Sequence, residues 1–181
     1  MKDVNALAKQ SQQWLMEALI KLMKQKRFSN ITICELSETA GVNRKTFYRH
    51  FQTKEDILKL YLHQTCFDYM MELQKAPALT TYAIAYAYFS VCQMHREFLC
   101  LLAENDMLPL LLSAFDTYLP KLHLVFENRK LSDSPVHNSP YALSFFTGAF
   151  WNISVKWMHN GSKETPEEMA YIVKTLMEHP L

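Results

Sequence analysis

The apolar positions of the first sixty residues fall into short stripes punctuated by capping and turn residues. Trp14, Leu15, Ala18, Leu19, Leu22 and Met23 recur at helical spacing and predict an amphipathic helix from somewhere in 5–11 to Lys26. Its last turn carries Lys24, Lys26 and Arg27, which complement the negative end of a helix and are also placed to touch a nucleic-acid backbone. Thr32 then opens a second helix, with Glu35 in the reciprocal capping position and Ile31 and Leu36 as a hydrophobic staple. Gly41 stops that helix where a left-handed residue is wanted. Asn43 caps the next, and Val42 with Phe47 repeats the staple. Two capped helices joined by so tight a turn read as a helix-turn-helix.

The second of these helices is two-faced. Phe47 and Phe51 stand four apart, share a side, and can anchor the helix to a small core with Phe28 and Leu36. A rotation of about 100° per residue puts Lys45 and Arg49 near the opposite side, flanked by Thr46 and Tyr48. Arg44 lies closer to the phenylalanines but, as the first helical residue, projects past the helix end. Such a helix suits the major groove of double-stranded DNA. Arg and Lys reach guanine edges or phosphates there, and Tyr and Thr hydroxyls bond to phosphate oxygens.

Phe28, Ile31, Ile33, Leu36, Ala40-Gly41-Val42, Thr46-Phe47-Tyr48, His50-Phe51, Lys54 and Ile57-Leu58 together resemble the DNA-binding domain of the tetracycline-repressor (TetR) family. The resemblance is dense over about residues 10–60 and weak beyond. It implies an all-α chain of about nine helices: a three-helix helix-turn-helix domain over 1–52 and a helical ligand-binding and dimerisation domain over 53–181. It also implies a homodimeric transcriptional regulator, a repressor more readily than an activator, released by a small-molecule effector of unknown identity. The expected DNA-binding set is Thr32, Asn43, Arg44, Lys45, Thr46, Tyr48, Arg49, His50 and Lys54, with Thr32, His50 and Lys54 holding phosphates. Lys54 also stands in the first turn of its helix, just after the Thr53 cap. A cation in the first turn of a helix opposes the dipole, and beside free backbone N–H groups it makes a phosphate site.

Beyond the helix-turn-helix, Thr53 and Asp56 cap a fourth helix whose inner face is Ile57, Leu58, Tyr61, Leu62, Thr65 and Tyr69. It ends near Lys75, ahead of Pro77. Starting at the DNA-binding unit and continuing into the body, it is the element that the resemblance implies would transmit tilt. Helices follow over 79–94 and 96–104, broken near Met94-His95. Asp106 is the expected cap of another, reaching about Arg129 and kinked at Pro120. Residues 130–140 read as loop, Pro140–Met158 as a long helix, and Thr165-Pro166-Glu167-Glu168 as the capped start of the last. Met169, Ile172, Val173, Leu176 and Met177 stripe one side of that helix.

The last two helices are the expected dimer interface, through Phe145, Gly148, Trp151, Ile172 and Leu176. Phe146, Phe150 and Trp157 are further anchors of the kind that dominate interfaces. Paired with their symmetry mates, they would form the four-helix bundle the resemblance implies. Polar residues among apolar stretches (Tyr88, His95, Asn105, Tyr118, His123 and Asn152) are the candidates for lining an effector pocket, though each also reads as an ordinary core or surface residue.

Charge sharpens this picture. Residues 1–60 carry 11 Lys and Arg against 6 Asp and Glu, a net +5, while residues 61–181 carry 8 against 12, a net −4. A basic first third and an acidic remainder fit one end on nucleic acid and the other in solvent. Only 3 glycines in 181 residues, with no alternating strand pattern, point to an all-helical chain. Cys34, Cys66, Cys92 and Cys100 form no C-x-x-C pair and read as reduced thiols in a cytoplasm. Arg96, four residues before Cys100, is the one permanent cation nearby that would activate a thiol.

His63 with Cys66 and Cys92 with His95 each offer a metal two ligands, too few for a site, and no cofactor is expected. The polar start and the short greasy run 141–155 argue against a signal peptide or a membrane span. No nucleophile–base spacing, phosphate-cradling loop or carboxylate pair suggests an enzyme. The rival reading is a protein-interaction adaptor of the same fold, whose acidic, Met- and aromatic-rich body binds a protein partner.

Overall fold

The computed structural model describes residues 2–113 and 140–179, and every regular element among them is helical. They form α1 (Lys2–Met23), a 3-10 turn (Phe28–Asn30), α2 (Ile33–Thr39), α3 (Arg44–His50), α4 (Lys54–Lys75), α5 (Thr81–Met94) and α6 (Arg96–Glu104). A helical stretch over 108–113 (α7), α8 (Pro140–His159) and α9 (Pro166–Glu178) complete the set. Two compact units result: residues 1–64 with 97–108, and residues 65–96 with 109–181. The first unit runs eleven or so residues into α4 and also takes in most of α6, because Tyr61 stacks on Phe98 with ring centroids 3.8 Å apart. That contact links positions far apart in sequence, which no periodicity reports.

In the first unit, α1 buries Leu15, Ala18, Leu19, Leu22 and Met23 and leaves Trp14 exposed, so its stripe is narrower than the sequence pattern. The helix starts at Lys2 and ends at Met23, earlier at both ends than expected. Thr32 caps α2 through a complete capping box: the Glu35 amide donates to Thr32 Oγ1 at 3.2 Å, and the Thr32 amide donates to Glu35 Oε2 at 3.1 Å. At the other end Gly41 takes φ +66°, with its amide on the Glu38 carbonyl and the Val42 amide on that of Ser37, both at 3.0 Å. This is the paired hydrogen bonding of a glycine-closed helix end. Asn43 Oδ1 accepts from the Thr46 amide at 2.8 Å and starts α3.

In the second unit, α5 and α9 pack along each other. α5 buries Ala85, Tyr88, Phe89 and Cys92, and α9 buries Met169, Ala170 and Val173. Phe150 and Trp157 of α8 close on Phe89, with centroids 6.5 and 5.6 Å away, and the Trp157 indole donates to the Glu164 carbonyl at 3.1 Å. Thr165 and Glu168 form the second full capping box.

Asp106 does not cap a following helix. With φ 58° it closes α6, its amide on Ala103 O and the Met107 amide on Leu102 O. Asp tolerates the left-handed region better than most residues, which is why it can stand where glycine is usual. The proposed helix to Arg129, the kink at Pro120 and the 130–140 loop lie outside the described residues, apart from the start of that helix in 108–113 and Pro140, which begins α8.

A Cβ at Gly41 would meet nothing within 4 Å, so only backbone conformation penalises a side chain there. Gly41→Ala is expected to destabilise the protein by about 1–2 kcal/mol, the cost of a left-handed L-residue. A urea melt showing no loss would mean the turn has another conformation.

Candidate nucleic-acid interface

The three-helix unit is built around Phe47, which is fully buried, with Leu36 at 0%, Phe28 at 6% and Phe51 at 6% exposure around it. Phe47 of α3 and Phe51 at its C-cap lie with centroids 5.9 Å apart, and both phenylalanine rings point inward. Fixing that side fixes the other. Arg44, Lys45, Tyr48 and Arg49 are exposed and Thr46 half-exposed, all on a helix that cannot rotate without unburying its phenylalanines. Among the described residues, Arg44, Lys45 and Arg49 form no ion pair with any carboxylate.

Three other cations of this unit, at the end of α1 and just beyond it, are committed internally. Lys24 pairs with Glu97 at 2.5 Å, Lys26 pairs with Glu35, and Arg27 donates to the Glu104 carbonyl at 2.7 Å beside Asp106. The backbone-contact role open to these residues from the sequence is thereby reduced, since each already has a partner of opposite polarity.

The three residues expected to hold phosphates are likewise occupied. The Thr32 hydroxyl accepts from the Glu35 amide and donates to Glu35 Oε2 at 2.9 Å, which uses it in both senses. His50 Nε2 lies 2.8 Å from Ser11 Oγ, whose own proton faces the carbonyls of Leu7 and Ala8 at 3.0 Å. Arg49 Nη2, which can only donate, lies 3.4 Å from the same nitrogen, so Nε2 is engaged from two sides. Burial, and then Arg49 beside it, hold the His50 pKa below the ordinary imidazole value. Lys54 Nζ donates to the carbonyls of Phe28 at 2.6 Å, Ser29 at 3.2 Å and Ile31 at 2.8 Å, and sits 4.5 Å from the Phe28 ring centroid. A cation in the first turn of α4 opposes the helix dipole, and three carbonyls of a turn 23 to 26 residues away hold it there.

The described candidates for an effector pocket have separate partners. Tyr88 is buried, and its hydroxyl shares a 2.9 Å hydrogen bond with Ser154 Oγ, which also reaches the Phe150 carbonyl at 2.6 Å. His95 Nε2 lies 2.8 Å from Asp68 Oδ2. Asn152 is exposed, donating to the Gly148 carbonyl at 2.8 Å, and so belongs to the outer face of α8 rather than the interior. Tyr118 and His123 lie outside the described residues. Asn105 belongs to the first unit, where its side-chain oxygen accepts from the Phe28 amide at 2.7 Å.

Thiol chemistry has little purchase here. Burial pushes Cys66 and Cys92 up to about 12, and the Glu38 carboxylate raises Cys34. Arg96 donates to the Gly161 carbonyl at 2.9 Å. Among the described residues, no three His, Cys, Asp or Glu side chains gather as a metal would need, and no helix is long and apolar enough to cross a membrane.

A glycine-turned pair of short helices, apolar behind and cationic in front, defines a helix-turn-helix DNA-binding protein. Residues 15–61 match the bacterial regulatory proteins of the tetR family, and residues 79–179 match the transcriptional regulator C-terminal region. The chain belongs to the TetR family of transcriptional regulators. The structure of the fatty acid degradation regulator FadR from Bacillus halodurans superposes with a TM-score of 0.67 at 12% identity, over 94% of this chain and 96% of that one. At that identity the likeness speaks of the fold alone. No curated protein matches the chain.

Two carboxylates of this unit set its acid limit. Lys26 and the Thr32 donors hold Glu35 down at about 2, below its ordinary 4.5, and Lys59 with the Thr53 amide holds Asp56 at about 2, below 3.8. Groups with depressed folded pKa values add stability above their unfolded pKa and lose it as pH falls through the folded one. The melting temperature is therefore expected to fall from about pH 5 to about pH 2, and less steeply in Glu35→Gln. An identical slope in that variant would remove Glu35 from the account.

Proposed function

We propose that the protein is a homodimeric repressor that binds a two-fold DNA operator through α3 and is released by an effector held in the region 53–181. The observation that carries this reading is the Arg44–Lys45–Arg49 face, without a carboxylate partner among the described residues and held outward by the burial of Phe47 and Phe51. Unpaired cations on a rigid helix are the groups whose release of DNA counterions and bidentate contact to guanine give affinity and sequence preference. Asn43, Thr46 and Tyr48 border them and supply neutral donors. Repression is the simplest consequence of occupying a promoter, and a DNA partner supports a cytoplasmic location.

For the dimer, support comes from the outer faces of the last two helices. Tyr141 is 84% and Phe145 65% exposed on α8, with Gly148 one further turn along, where a Cβ would meet nothing of the subunit's own. On α9, Ile172 and Leu176 are 40% and 46% exposed. Trp151 is half-buried beside this face, whereas Phe150 and Trp157 are already used in the subunit's own core. For the effector, the Tyr88–Ser154 pair among Phe89 and Phe150 is the interior polar site that an apolar molecule with a polar end would use.

Selection of duplexes from a random-sequence library, followed by footprinting at the promoter beside the gene, tests the reading. A two-fold sequence is the expected outcome, and retention of random DNA without enrichment would overturn it. With that operator, Arg44→Ala or Lys45→Ala is expected to relax preference at particular base pairs by about 1–3 kcal/mol, the worth of a bidentate contact. Equal loss on random DNA would assign these residues to phosphates instead. Phe145→Asp is expected to convert the sedimenting species from two chains to one, and an unchanged species would move the interface elsewhere.

A further inference from the structure

We infer that Lys54 and Asn105 are positioning residues for DNA recognition, which together clamp the 28–31 turn to the start of α4 and the end of α6. The inference rests on the reading of the protein as a DNA-binding regulator. The helix-turn-helix is bracketed by two short segments: Phe28–Ile31 leads into α2, and Phe51–Lys54 leads out of α3. Lys54 joins the brackets. Its ammonium has three protons, and the Phe28, Ser29 and Ile31 carbonyls lie within 3.2 Å of it. The Phe28 ring adds a cation–π contact at 4.5 Å.

The peptide between Ile31 and Thr32 is consequently held from both sides, its carbonyl by Lys54 and its amide by Glu35 Oε2 at 3.1 Å. That peptide is the doorstep of α2. The opposite side of the turn belongs to α6: Asn105 Oδ1 accepts from the Phe28 amide at 2.7 Å, and Asn105 Nδ2 donates to the Leu101 carbonyl at 2.8 Å. Arg27, just ahead, donates to the Glu104 carbonyl at 2.7 Å. Phe28 thus has its carbonyl, its amide and its ring all fixed, and the buried ring packs the base of the unit. A lysine bonded in this way contributes the position of α2 and α3 rather than a phosphate contact.

The two roles separate in salt. Binding of the selected operator duplex to the full-length protein is measured across salt concentrations, well below the melting temperature, for wild type, Lys54→Met, Asn105→Ala and the double variant. The expected result is an affinity loss of about tenfold or more in each single variant with the salt slope unchanged. The double variant is expected to lose less than the product of the two, because both act through one turn. A slope shallower by about 0.9 per subunit in Lys54→Met would make it a phosphate ligand and overturn the inference. Unchanged affinity with a lowered melting temperature would also overturn it, by leaving Lys54 a stabilising residue only.

Asn105→Ala removes no charge and carries the same test should Lys54→Met not fold. One measurement is independent of the operator. The 15N resonance of the Lys54 ammonium is expected to show protected, hydrogen-bonded protons in the free protein, and no change on adding a random-sequence duplex. Rapidly exchanging protons in the free protein, or a shift on adding DNA, would refute the clamp. If wild type selects no duplex while the protected ammonium is present, the DNA reading fails and the clamp remains.

Discussion

A helix of seven residues does not hold itself together in water, because nucleation costs more than so few hydrogen bonds return. α3 exists because Phe47 and Phe51 are buried under it and because Asn43 and Phe51 bond at its two ends. Removing a fully buried Phe side chain from a core costs about 3–5 kcal/mol, a large share of the stability of a domain this size. That burial also fixes rotation about the helix axis. The cationic face is presented because turning it away would expose the two rings, so one packing interaction sets both the existence and the aim of the recognition surface.

The basic charge of the first third is divided into two populations by what lies near each side chain. Lys24, Lys26, Arg27 and Lys54 meet carboxylates or carbonyls and become structural. Arg44, Lys45 and Arg49 meet none among the described residues and keep their charge for a partner. The distinction is one of competition. A phosphate can recruit a solvated ammonium by releasing water and counterions, but it must displace three carbonyls to recruit Lys54.

The second unit follows a similar division with apolar residues. α8 and α9 carry more greasy surface than one core can use. Phe150, Trp157, Met169 and Val173 turn inward, while Tyr141, Phe145, Ile172 and Leu176 remain on the outside. Exposed large apolar side chains on two sequence-adjacent helices are the arrangement from which a self-complementary contact is made. Gly148, with open space where its Cβ would be, adds a place for close approach.

The local features were legible in the sequence because they depend on neighbours a few residues away. The capping boxes at Thr32 and Thr165, the glycine stop at Gly41, the outward face of α3 and the all-helical class all follow from spacing and residue type, as does the family. Partnerships between distant residues were not legible. Nothing in the chain's periodicity says that Lys54 would find the carbonyls of residues 28–31, that His50 would reach back to Ser11, or that Asn105 would serve the Phe28 amide. Nor does the spacing of aromatics on α8 say which of them face Phe89 and which face away. A hydrogen bond or a packed ring across twenty to eighty residues is set by how helices meet in space, and only the tertiary structure carries that information.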